Sequence, residues 1–256
     1  MFSRYVALGD SFTEGVGDDD PTRPNGLRGW ADQVAEAIAA VEPGLRHANL
    51  AIRGRKLHQI LDEQLEPALA MAPDLVTIYA GANDILRPSV DLDALVQDYD
   101  DALARLAATG ARLLVWTAFD PGGSAVYRPV RGRFALYNEL VREVADRHDA
   151  TIVDFWRLRD YRDWRMWDAD RMHMSPAGHR RMAVEVLDLL GVPHSLEALR
   201  LPDAASPTRR EAVAADLAWA RSHAVPWVQR RLTGRSSGDT VTARRPTLEP
   251  VVSPVE

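Results

Sequence analysis

A hydroxyl, a carboxamide, a carboxylate and an imidazole stand just beyond separate apolar runs of this sequence. Gly9-Asp10-Ser11 follows the first run, Arg53-Gly54 the second and Gly81-Ala82-Asn83-Asp84 the third. Asp170-Arg171-Met172-His173 follows the fifth, on a longer loop. These residue types suffice for acyl transfer by a serine nucleophile. Ser11 is weak at its free pKa and needs a base within hydrogen-bond reach. His173 can take the proton, because imidazole titrates near neutrality. Asp170 can bond the other ring nitrogen, which fixes the tautomer and stabilises the imidazolium. Their three-residue spacing lets one tight turn present both groups. The backbone N–H groups of Ser11 and Gly54, with the Asn83 amide, can aim at one oxyanion, since glycine lets backbone approach closely.

Each of these residues also has a plainer reading. Ser11-Phe-Thr-Glu14 fits a capping box, so Ser11 could simply start a helix. Asn83 or Asp84 could cap a short helix. Gly54 could only end a strand, and Asp170 could be a solvated loop residue with Asp168 as the rival partner of His173. Gly234-Arg-Ser236-Ser-Gly238 matches the nucleophile elbow in form. It lacks a preceding apolar strand, and no histidine follows it. The acidic run Asp18-Asp-Asp20 lacks the alternating ligands of a calcium loop and reads as a solvated turn. His179 reads as structural, and His223 as a surface or core group.

The elements that must position these groups alternate. Tyr5–Leu8, Ala48–Ile52, Leu75–Ala80, Arg112–Phe119 and Ala150–Phe155 are near-continuous apolar runs, as strands covered on both faces require. Helical stripes separate them: Trp30 to Val41, Leu57 to Leu65, Leu92 to Leu106 and Phe134 to Val144. Ser175-Pro176 opens a further helix, with Ser as N-cap and Pro in the first turn. Five strand–helix repeats predict a parallel sheet with helices on both faces, a three-layer α/β/α sandwich. Ligands of such sheets sit beyond the carboxyl ends of the strands, where these side chains fall.

Composition narrows the function classes. The 256 residues carry a net charge of −6, so no strongly basic balance points to nucleic acid. There is no cysteine, which excludes disulfides, thiolate catalysis and Cys-ligated metals. No run reaches the roughly 20 apolar residues of a membrane span. With no leader pattern at Met1-Phe2-Ser3-Arg4, a cytoplasmic location is the default expectation. A nucleotide-binding reading needs a lysine-bearing phosphate loop, and Lys56 is the only lysine.

The blocks Gly9-Asp10-Ser11, Gly54, Gly81-Ala82-Asn83-Asp84 and Asp170-Arg-Met-His173 resemble, in order and separation, the four blocks of the SGNH/GDSL hydrolases. The resemblance spans about residues 4–192. It implies a flavodoxin-like α/β/α fold with a five-stranded parallel sheet, and a metal-independent serine esterase or lipase without a cofactor. It also implies Ser11 as nucleophile, His173 as base, Asp170 as its partner, and an oxyanion hole of Ser11, Gly54 and Asn83. Phe12 stands where leucine is usual, and Arg53 where a small residue is. The expected partner is a small-molecule ester: a short acyl ester, an acetylated carbohydrate, a lysophospholipid or a thioester. The oligomeric state stays open. The alternative is a non-catalytic binding or scaffold protein on the same fold. The expected organisation is a hydrolase domain over 1–194, a helical extension over 195–232 packed through Trp219 and Trp227, and a disordered tail over 233–256. Trp30 and Tyr127 are expected pocket walls.

Overall fold

The computed structural model describes residues 2–124, 127–201, 208–226, 229, 233 and 235–251. Its sheet is built from β1 (Arg4–Gly9), β2 (Arg46–Asn49), β3 (Leu75–Tyr79), β4 (Arg112–Trp116), β5 (Thr151–Val153) and β6 (Arg245–Pro250). The order is β5-β4-β3-β1-β2-β6. The first five strands pair in parallel, in the 2-1-3-4-5 order of flavodoxin-like sheets. The expected five-stranded sheet is therefore corrected to six. The extra strand comes from the stretch read as a tail and pairs antiparallel with the outer edge of β2.

The helices are α1 (Ser11–Glu14), α2 (Gly29–Val41), α3 (Leu57–Ile60), α4 (Glu66–Ala70), α5 (Ala82–Ile85), α6 (Leu92–Ala107), α7 (Arg131–Arg147), α8 (Pro176–Leu190) and α9 (Arg209–Trp219). Two apolar layers flank the sheet. On one face Val6, Leu8, Val76, Ile78 and Val115 meet residues of α3, α6 and α7. On the other Tyr5, Ala7, Leu114 and Trp116 meet residues of α2 and α8. Alternate residues of one strand thus serve opposite layers, which is why the strands read as unbroken apolar runs.

The switch point of this topology lies between β1 and β3, where crossovers leave to opposite sides. Ser11 follows β1 there and Asn83 follows β3. Trp30 is fully buried, with its indole N–H on the Phe12 carbonyl at 2.9 Å. It packs against the Phe12 ring and, among the described residues, lines neither cavity beside Ser11, where a wall was expected. Trp227 lies outside the described residues.

Candidate active site

Asp10, not Ser11, caps α1: its carboxylate accepts the Phe12 N–H at 3.1 Å. The capping-box alternative therefore falls, and the Ser11 hydroxyl is left uncommitted among the described residues. Glu14, fully buried, reaches away from the cap to Arg53. It accepts the Arg53 backbone N–H and the guanidinium, each at 2.7 Å. This pair accounts for the arginine before Gly54, because its head is drawn under the loop rather than into the cavity.

Asn83 ties three blocks together. Its amide nitrogen donates to Asp10 at 2.9 Å and to the Arg55 carbonyl at 3.0 Å, which uses both of its protons. Asp84 accepts the Leu57 N–H at 2.9 Å and so caps α3 rather than its own helix. Burial pushes the Asp10 carboxyl up to about 7, against the Phe12 N–H bond and the nearby His173 charge, with Asp84 and Glu14 adding to the rise.

The Asp170–His173 turn forms as the spacing predicted. Asp170 Oδ2 meets His173 Nδ1 at 2.5 Å, and its other oxygen accepts the backbone N–H groups of Met172 and His173 at 2.9 and 3.0 Å. Burial works against this charge, but the imidazole and both N–H groups prevail and hold the carboxyl well below its usual range. The rival Asp168 enters through its backbone N–H, which bonds the His173 carbonyl at 2.8 Å. Ser175 caps α8 behind the turn by accepting from Gly178 at 3.3 Å.

Ser11, Gly54, Asn83, Asp170 and His173 all line one cavity of about 220 Å³. Ser11, Asn83 and His173 also line a second, aromatic cavity of about 80 Å³ with Phe119, Tyr127 and Phe155. Ser11 and His173 face both cavities without a hydrogen bond between them, and such bonds commonly tighten only around substrate. The backbone N–H groups of Ser11 and Gly54 have no acceptor among the described residues. The same residues contain no group of three or more side chains able to hold a metal ion, and no helix long and apolar enough to cross a membrane.

A model of the GDSL-like Lipase/Acylhydrolase family matches residues 7–181. The chain belongs to that family. As a GDSL-like acylhydrolase it is an ester-hydrolysing enzyme. It is 27% identical over 211 residues to an acetylxylan esterase of Geobacillus stearothermophilus, covering 73% of this chain and 94% of that one. The solved structure of an acetylxylan esterase from the same organism superposes with a TM-score of 0.62 at 25% identity, covering 74% of this chain and 94% of the other. An alpha/beta hydrolase from the metagenome of Lake Arreo, Spain, shares the fold with a TM-score of 0.62 at 24% identity, over 74% and 95% of the two chains.

Sequence reasoning missed one wall of this acylhydrolase's larger cavity. Ser236, Ser237, Arg235 and His223 line it, all beyond the family match. His223, read as a surface or core group, is half-buried and faces this cavity. Gly54, at φ +74°, faces this wall: a first side-chain carbon there would lie 2.2 Å from Ser236 Oγ. Only glycine fits both the backbone angle and the contact. The serine of the rejected elbow motif is thus part of the site by position. No local pattern announced it, because pairing of β6 with β2 brings it there.

Proposed function

We propose that this enzyme is a serine esterase that removes small acyl groups through an acyl-enzyme on Ser11. One observation carries the reading. Residues from four separate stretches line a single cavity, with Asp170 already bonded to the ring of His173. His173 Nε2 takes the Ser11 proton as the oxygen attacks the ester carbonyl. Asp170, held ionised, steadies the imidazolium. The new oxyanion meets the waiting N–H groups of Ser11 and Gly54. Asn83 joins by releasing the Arg55 carbonyl. A bond to an anion is roughly twice as strong as one to a neutral acceptor, so that exchange runs downhill. The imidazolium then returns its proton to the departing alkoxide. Water attacks the acyl carbon with His173 again as base, and the carboxylic acid leaves. No step calls on a metal.

The two cavities divide the substrate. The aromatic one, at about 80 Å³, suits the acyl group. A cavity of about 150 Å³ is enough for benzene, so this one favours acyl chains of a few carbons. The larger one, with serine, arginine and histidine side chains, suits a hydroxylated leaving group. The names of the Geobacillus relatives agree with an acetyl ester of a polyol. The test is hydrolysis of p-nitrophenyl acetate with EDTA present, alongside labelling by a fluorophosphonate. Ser11→Ala should abolish both with its circular dichroism unchanged. A variant that kept wild-type turnover would overturn the reading.

A further inference from the structure

The turn carrying Asp170 and His173 is gripped from outside by α9, which lies beyond the residues the family model matches. The indole N–H of Trp219 donates to the backbone carbonyl of Asp170 at 2.8 Å. The next residue, Arg171, has φ +56°, a left-handed conformation that a side-chain-bearing residue rarely adopts. Its guanidinium packs over Trp219 at 5.2 Å and over Trp164 at 5.8 Å, and pairs with Asp216 at 2.7 Å. A strained turn persists only where its surroundings over-determine it. Here four contacts do so, and three come from a single helix.

We propose that Trp219 is a positioning residue for the Asp170–His173 pair, acting through the Asp170 carbonyl, with Arg171 and Asp216 completing the clamp. The inference rests on the proposed roles of Asp170 and His173. The direction of the Asp170 carbonyl fixes the plane of the Asp170–Arg171 peptide. That plane sets where the Asp170 carboxylate stands relative to the two N–H groups it accepts and to the imidazole. Releasing the carbonyl lets the peptide relax from its left-handed turn and carries the carboxylate off the ring. Misplacement of a reacting group by about 1 Å can cost about 10²-fold in rate. Trp219, Arg171 and Asp216 line neither of the two cavities at Ser11 but a cleft of about 1050 Å³ that shares Tyr127 and Trp167 with the aromatic one, so kcat rather than KM is the parameter that reads the clamp.

Trp219→Phe keeps a ring over Arg171 and removes only the N–H donor. It should lower kcat about tenfold, as loss of one well-placed hydrogen bond does, with KM within about twofold. Trp219→Leu removes ring and donor and should lower kcat further. Asp170→Asn supplies the decisive background: there, adding Trp219→Phe should change kcat by less than about twofold, since the route to His173 is already cut. Wild-type kcat in Trp219→Phe would overturn the clamp, and so would an undiminished tenfold loss in the Asp170→Asn background. Wild-type activity of Asp170→Asn itself would instead overturn the assignment of the pair. Thermal unfolding of each variant separates positioning from misfolding. Should Trp219→Leu fail to fold, Trp219→Phe and Asp216→Asn decide the matter by the same split of kcat from KM.

Discussion

Two buried groups, Asp10 beside Ser11 and His179 on α8, are shifted from their normal ranges in opposite senses, and their effects on folding oppose each other. His179 is fully buried and accepts the Trp30 N–H at 3.1 Å while its other nitrogen donates to the Val16 carbonyl at 3.1 Å. Burial lowers its pKa from 6.5 to about 4, so between those values the unfolded chain binds the extra proton and stability rises with pH. Asp10 is raised by burial from 3.8 to about 7, so across that window the folded chain holds the extra proton and stability falls with pH. Each slope is about 1.4 kcal/mol per pH unit at most, and over the shared window they nearly cancel. Single variants should expose them. Relative to wild type, Asp10→Asn should gain stability as pH rises from about 4 to 7. His179→Gln should lose it between about 4 and 6.5. Urea titrations at several pH values measure both, and parallel profiles for wild type and variants would refute the argument. On the proposed mechanism, Asn83→Ala should lower kcat about 10²–10³-fold with KM little changed, because the bond it would make to the oxyanion belongs to the transition state alone. A pure rise in KM would remove Asn83 from that role.

Among the elements, β6 decides most. Arg244, just before it, is buried against the Leu27 carbonyl, the Arg28 carbonyl and Asp32. Burial opposes the Asp32 charge, but bonding to His47 and the charges of Arg244 and Arg245 hold it ionised. Arg244→Met leaves that carboxylate buried without its main partner and should cost about 3–5 kcal/mol in chemical unfolding. The double variant with Asp32→Asn should recover part of the loss. If Arg244→Met unfolds like wild type, β6 is not held as described. This element is also where the sequence was least legible. The parallel strands announced themselves as apolar runs because both of their faces are covered. An edge strand needs no such pattern: Arg-Pro-Thr-Leu-Glu-Pro has two prolines and mostly open faces, which an edge tolerates and a tail shares. The four blocks were legible because each is a short run of residues able to do chemistry, three of them just beyond a predicted strand and the fourth just before a capped helix. The cavity wall of Ser236 and Ser237 was not, since a serine in a loop looks the same wherever the fold carries it. The disposition of Trp30 was half legible: its helical stripe was right, but periodicity does not tell the core from a pocket rim.

For the whole molecule, the paired cavities set an expectation about substrate range. Across p-nitrophenyl esters, kcat/KM should peak between acetyl and butyryl and fall at least about tenfold by octanoyl, as the aromatic cavity fills. Octanoyl esters turned over as well as acetyl would show that the acyl group lies elsewhere. The architecture also bears on how the protein is made. The open edge of β2 is closed by a strand far along the chain: Arg46 pairs with Pro250, and its guanidinium donates to the Leu248 carbonyl 202 positions away. At ribosomal speeds of roughly 5–20 residues per second, that edge waits roughly 10–40 seconds for its cover. An uncovered edge invites pairing with a neighbouring chain. Slow translation or crowded polysomes should therefore favour aggregates of nascent protein, and holdase chaperones that shield such edges should raise the soluble yield.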